Sequence, residues 1–209
     1  MAAVKSIRKT CPNEIEHEYW REDRLVLGMD EAGRGPLAGP LSVAGVVFPT
    51  GYENPLIYDS KALSERRRDE LYEQIMEDAL YFEILEVSPA DIDRYDIYHA
   101  DQRAMELIAA ELPCDAILTD AMPLHIEKPW QALIKGDQRE IAIAAASILA
   151  KVTRDRIMIQ YDSIYPQYGF ARHKGYPTKA HLEAIETYGI TPIHRRSFAP
   201  VAAQQLKLF

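Results

Sequence analysis

Residues 24–40 read Arg-Leu-Val-Leu-Gly-Met-Asp-Glu-Ala-Gly-Arg-Gly-Pro-Leu-Ala-Gly-Pro. The first six are short and apolar and run into glycine, the pattern of a strand ending in a tight turn. Two adjacent carboxylates, Asp30 and Glu31, follow that strand. Desolvating them is expensive unless something compensates. A divalent cation is the simplest compensation, because Mg²⁺ prefers carboxylate oxygens and retained waters. A solvated acidic turn is the plainer alternative. Glycines on both sides of Arg34 suit close approach of backbone N–H groups to a ligand's sugar or phosphate. Residues 33–38 also fit the dinucleotide fingerprint G-x-G-x-x-A, with Glu53 about the expected distance on. That fingerprint must open a helix, and Pro36, Gly39 and Pro40 are poor material for one. Asp30 and Glu31 would also repel a pyrophosphate, so this reading is rejected.

Working outward, residues 41–48 (LSVAGVVF) are apolar and β-branched, then stopped by Pro49 and Gly51. They read as a second strand returning beside the first. Ser64 is placed to cap a helix running to about residue 79. Residues 80–87 alternate loosely like a strand, and Ser88-Pro89 opens a helix expected to reach about residue 112. Residues 116–119 (AILT) form a short buried strand ending at Asp120, and residues 130–134 form another. A long helix is predicted from Asp137 or Gln138 to about residue 161. Only helical patterns follow, with one helix over 178–188 stopped by Gly189. The end, from residue 194, reads as an extended tail. Interleaved strands and helices followed by helices alone predict an α/β domain with a small helical C-terminal part. The expected divisions are a polar arm, 1–23, a catalytic domain, 24–160, a helical part, 161–198, and a tail, 199–209.

The 209 residues are enough for one core without disulfides, and 47% hydrophobic with 27% charged residues excludes a wholly disordered chain. Two cysteines, Cys11 and Cys114, have neither framework numbers nor metal-ligand spacing, which fits a reducing compartment. The first twenty residues lack a signal-peptide apolar core, and no apolar run reaches the ~20 residues of a membrane span. A cytoplasmic protein is expected. The net charge of −8 argues against holding nucleic acid by bulk positive charge.

Four further stretches bear on that objection. Asp120 ends a strand, where acids often line a site in α/β proteins, although a capping aspartate is the simpler role. Lys135-Gly136-Asp137 directly precedes the long helix, and Asp137 reads either as its N-cap or as a metal ligand. On that helix Ser147, Lys151 and Asp155 share a face, and Lys151 with Asp155 fits an i,i+4 ion pair. Residues 168–178 (YGFARHKGYPT) interleave cations with aromatics and glycine, as phosphate and base contacts require. His194-Arg195-Arg196-Ser197-Phe198 has the same character.

Together these elements resemble the type 2 ribonuclease H family, bacterial ribonuclease HII. The resemblance runs in order through residues 28–40, DSKALS (59–64), ILTD (117–120), KGD (135–137), ASILAKVTRD (146–155), YPQYGF (165–170), HKGYPTKAH (173–181) and HRRSF (194–198). It implies a ribonuclease H-like α/β fold, a mixed sheet flanked by helices. It implies endonucleolytic hydrolysis of RNA in RNA–DNA hybrids and cutting 5′ of single ribonucleotides in duplex DNA. By motif, Asp30, Glu31, Asp120 and Asp137 would bind two Mg²⁺ or Mn²⁺ ions. The backbone of Gly33, Arg34 and Gly35 would read the ribose 2′-OH, and Tyr176 would pack on the following deoxyribose. Lys61, Ser147, Lys151, Arg172 and Lys174 would be phosphate contacts. Ala62 stands where many relatives carry lysine or another polar residue. The last five residues, Gln205-Leu206-Lys207-Leu208-Phe209, resemble the QLxLF peptide that binds the bacterial sliding clamp. Two other functions stay in view. A non-catalytic, clamp-tethered hybrid-binding module would need a broken acidic constellation. A glycosidase with Asp30 or Glu31 paired to Asp120 would need no metal.

Overall fold

A computed structural model describes residues 10–206, with side chains through Gln204. Strand β1 (Val26–Ala32) lies at the centre of a five-stranded sheet ordered β3-β2-β1-β4-β5. β2 (Leu41–Val47) and β3 (Tyr81–Val87) complete an antiparallel meander with β1. β4 (Ala116–Asp120) and β5 (Trp130–Leu133) extend the other side in parallel. Helix α2 (Glu65–Asp78) follows its predicted Ser64 cap, whose hydroxyl accepts from Arg67 N at 3.3 Å.

The period of two along each strand divides the core into two layers. Leu27 and Met29 of β1 join Leu41, Val43 and Val47 of β2 against helix α4 (Ile97–Glu111). Ala44 and Val46 face the other way, toward α2 and the central helix α5 (Ile141–Ile164). Gly28 sits beneath α5, where an added Cβ would stand 2.3 Å from the Ala142 carbonyl carbon. That absent side chain lets the helix approach the sheet closely. Helices α6 (Phe170–His173), α7 (Lys179–Tyr188) and α8 (Ala199–Leu206) gather a third cluster around Phe170, Ile185 and Val201.

Three boundaries differ from expectation. The helix predicted over about 89–112 is two, α3 (Pro89–Tyr95) and α4, separated by Asp96 at φ 61°. Asp96 caps the second, its carboxylate accepting from Tyr98 N and His99 N. The long helix starts at Ile141, because Asp137 is held in a separate 3₁₀ turn (Gly136–Gln138). The expected extended tail contains α8, since Val201 has an apolar cluster to enter. Within the predicted arm 1–23, helix α1 (Glu14–Trp20) is bound into the body. Asn13 Oδ1 accepts from Ile141 N at 2.9 Å, and the Glu16 carboxylate accepts from Ala142 N. Glu140 returns the arrangement, accepting from Ile15 N and Glu16 N. Each helix therefore supplies acceptors for the other's unsatisfied N-terminal donors. None of the described helices is long and apolar enough to cross a membrane.

Candidate active site

Strand geometry decides which acids meet. Asp30 follows Gly28 on the α5 face of β1, and Asp120 follows Leu118 on the same face of β4. The parallel register pairs Met29 with Thr119, so the two aspartates are neighbours one step further on. Asp120 Oδ1 also accepts from Gly136 N at 2.8 Å, which draws the turn carrying Asp137 to the sheet edge. Carboxylate oxygens of Asp30, Asp120 and Asp137 consequently lie within 4.8 Å of one another. Glu31 continues the opposite, α4-facing row of Leu27 and Met29. Its Oε1 stands 3.8 Å from Arg34 Nη1, and its Oε2 is buried without a hydrogen-bond partner.

The cluster carries the electrostatic signature of a cation site. Burial holds the Asp30 carboxyl well above its ordinary range, and Glu31 and Asp120 add to the effect. Burial, then Asp101, pushes Glu31 to about 8. Burial, then Asp120 and Asp59, raises Asp137 to about 6. Lys61 Nζ stands 3.8 Å from Asp137 Oδ2, and the surrounding acids outweigh desolvation in raising its own pKa. One largely exposed lysine is little compensation for three converging carboxylates. Hard oxygen donors of this kind fit Mg²⁺ or Mn²⁺.

The glycine loop beside the acids is shaped by two buried arginines. Gly33 has φ +106°, and an added Cβ there would lie 2.1 Å from Arg154 Nε. Arg195 donates to the carbonyls of Gly33 (2.7 Å), Arg34 (3.1 Å), Gly39 (3.0 Å) and Pro40 (3.0 Å). Arg154 donates to Pro40, Ala38 and Lys174 carbonyls. With the carbonyls so occupied, the N–H groups of Arg34 and Gly35 donate to no acceptor among the described residues. They remain available to a ligand, and their peptide units are polarised by the guanidinium.

Tyr176 stands beside this loop. Its ring lies 3.5 Å from where a Cβ on Gly35 would be, and it is 44% exposed. Leu37 N donates to Gly175 O at 2.8 Å, tying the two segments together. A histidine relay supports the tyrosine from below. His173 Nδ1 accepts from Gly175 N, His181 Nδ1 lies 2.9 Å from Tyr176 O, and His181 Nε2 lies 3.1 Å from His194 Nε2. His194 Nδ1 accepts from Thr191 N at 2.9 Å. Donors and acceptors match when both relay histidines are neutral, His181 protonated at Nδ1 and His194 at Nε2. Burial agrees, lowering both to about 4.

Glu31, Gly33, Arg34, Gly35, Lys61, Ser147, Lys151 and Tyr176 all line one cleft beside the acidic cluster. The Ser147 hydroxyl is 2.8 Å from that of Ser60 and also favours ionised Asp30. Lys151 makes the anticipated pair with Asp155 at 2.7 Å while lining the cleft. Arg172 and Lys174 are not brought to it. Arg172 belongs to the short helix α6, and the Lys174 ammonium donates to Ala171 O. Gln205 and Leu206 end α8 in backbone only, and Leu208 and Phe209 lie outside the described residues. Three contributors are absent from the sequence reading: the buried Arg154 and Arg195 in these structural roles, and Asp101. A signal existed for two of them. Asp101 interrupts the apolar stripe of Ile97, Met105 and Ile108, and Arg154 interrupts that of Ala150 and Met158. Nothing in HRRSF distinguishes Arg195 from Arg196.

Comparison with known proteins gives consistent results. A family model described as Ribonuclease HII matches residues 27–201. Ribonuclease HII of Enterococcus faecalis is 48% identical over 188 residues, covering 89% of this chain and 74% of the relative. The ribonuclease H2 structure from Pyrococcus horikoshii has a TM-score of 0.72 at 27% identity, covering 88% of this chain and 98% of that one. The ribonuclease HII of Archaeoglobus fulgidus, solved in complex with PCNA, has a TM-score of 0.70 at 29% identity, covering 83% and 95%.

Proposed function

Because the chain belongs to the ribonuclease HII family, the type 2 ribonucleases H, we propose that it cleaves RNA in RNA–DNA hybrids and cuts 5′ of a single ribonucleotide embedded in duplex DNA. The products would carry 5′-phosphates, and the cellular roles would be ribonucleotide removal during DNA replication and repair, in the cytoplasm. The observation that carries this reading is the convergence of Asp30, Asp120 and Asp137 beside a loop with unspent N–H groups and an exposed tyrosine ring.

Asp30, Glu31, Asp120 and Asp137 would hold two divalent ions, Mg²⁺ or Mn²⁺, which when bound supply charge to a water nucleophile and to the leaving 3′ oxygen. The protein's own groups select and orient the strand. The Arg34 and Gly35 amides are suited to the ribose 2′-OH, the group that separates RNA from DNA. Tyr176, held beside Gly35, is suited to pack on the next deoxyribose. Lys61, Ser147 and Lys151 line the cleft where the backbone phosphates would run. Arg172 and Lys174, which lie outside it, would meet phosphates only beyond the cleft. Paired-carboxylate glycoside hydrolysis fits less well, since this cleft is walled by Arg34, Lys61 and Lys151.

The test is a duplex DNA with one internal ribonucleotide, incubated with Mg²⁺ or Mn²⁺ and mapped for the cut. Wild-type protein should cut once, 5′ of the ribonucleotide, and failure with both metals would overturn the proposal. Asp30→Asn and Asp120→Asn should lose most activity while staying folded; near-wild-type rates would refute the assignment. For the terminal pentapeptide, Gln205, Leu206, Leu208 and Phe209 would anchor in a groove of the bacterial sliding clamp. The PCNA complex of the archaeal relative supports such a partner. Deleting 205–209 should abolish clamp pull-down while hydrolysis of a short duplex continues; unchanged pull-down would exclude it.

A further inference from the structure

Asp101 occupies a core position of α4 between Ala100, Ala104 and Met105, with its side chain 0% exposed. Neither carboxylate oxygen has a hydrogen-bond partner. Its ionic partner is Arg34, whose Nε lies 3.6 Å from Asp101 Oδ2. An acid here does nothing for the core, because a buried carboxylate without hydrogen bonds is destabilising and a half-exposed guanidinium offsets that only in part. Arg34 in turn faces carboxylates at two of its three nitrogens. Asp101 faces Nε, Glu31 faces Nη1 at 3.8 Å, and Nη2 has no acceptor among the described residues. Glu31 is one of the acids assigned above to the cations. Asp101 is the partner with no other task.

We infer that Asp101 is a positioning residue: from beneath the cleft it fixes the Arg34 guanidinium so that its outer edge meets a phosphate of the bound duplex. This rests on the ribonuclease reading and adds a determinant of substrate affinity that touches no substrate itself. The expected signature separates function from packing. In Asp101→Asn the side-chain volume is kept and a desolvated charge is removed, so the thermal midpoint stays level or rises. The KM for the single-ribonucleotide duplex rises about tenfold while kcat stays within about twofold, the pattern of lost ground-state binding. Arg34→Ala shows a similar rise, and the double variant shows no further one, because both changes remove the same contact.

These measurements use the full chain with Mg²⁺, beside wild type. An unchanged KM in Asp101→Asn, a loss additive with that of Arg34→Ala, or no loss in Arg34→Ala would overturn the inference. So would a lowered thermal midpoint or a variant that fails to fold, either of which would assign Asp101 to the core. Failure of wild type to cleave the duplex would instead refute the ribonuclease reading and is seen in the same assay.

Discussion

Asp30 and Glu31 are adjacent in sequence and divided in space. A strand turns successive side chains to opposite faces, so Asp30 joins Asp120 and Asp137 while Glu31 looks toward Arg34 and Asp101. The sequence shows that both acids end a strand; which one meets Asp120 depends on the register of β1 on β4. The same limit hid Asp101, whose partner Arg34 is far away in the chain. Without a cation, Asp30 is a source of strain, since burial and two neighbouring acids oppose its charge. Asp30→Asn should therefore raise the thermal midpoint in chelator, while the increment that Mn²⁺ gives wild type shrinks or disappears. A midpoint that falls in chelator, or an undiminished Mn²⁺ increment, would mean Asp30 is not at the centre of the cation site.

Helix α5 carries Ser147, Lys151 and Arg154 into the site, and its first turn follows directly on the one holding Asp137. Its start is capped by Asn13 and Glu16 of the N-terminal segment, which explains why no capping residue precedes Ile141 locally. A cap supplied from more than a hundred residues away has no local motif, so the local sequence points to Asp137 instead. Glu16 is fully buried beside Glu140, and burial first, then Glu140, raises it to about 8 from an ordinary 4.5. The folded state thus binds a proton more tightly than the unfolded chain. The stabilisation from that proton is complete below about 4.5 and is lost as pH rises through about 8. Glu16→Gln is neutral throughout and keeps an acceptor for Ala142 N. It should match wild type near pH 4.5 and exceed it by roughly 1–3 kcal/mol at pH 8.5, by denaturant unfolding. A variant less stable than wild type at pH 8.5 would show that the carboxylate is needed in charged form.

Charge is distributed unevenly over the molecule. Residues 1–150 hold 15 Lys and Arg against 28 Asp and Glu, a balance of −13, and residues 151–209 hold 9 against 4, a balance of +5. That asymmetry suggests a basic face for the duplex, but the structure spends much of it internally. Arg154 and Arg195 are buried on backbone carbonyls, where burial lowers their pKa to about 10 and about 9. Arg156 pairs with Asp69 and Glu73, and Lys179 with Glu183. The cations left lining the cleft, apart from buried Arg154, are Arg34, Lys61 and Lys151. The role of the buried pair is to shape the loop of Gly33, Arg34 and Gly35. The salt dependence of binding measures this difference, because each neutralised phosphate contributes about −0.9 to the slope of log K against log salt. Three contacts give a slope of about −3, whereas a duplex laid across the whole basic segment would give about −6 or steeper. Fluorescence anisotropy with the Asp30→Asn variant, which should bind without cutting, distinguishes the two. Lys61→Ala should then make the slope shallower by about one unit. A slope near −6 that ignores Lys61 would move the principal phosphate track away from this cleft, onto the surface around Arg172 and Lys174.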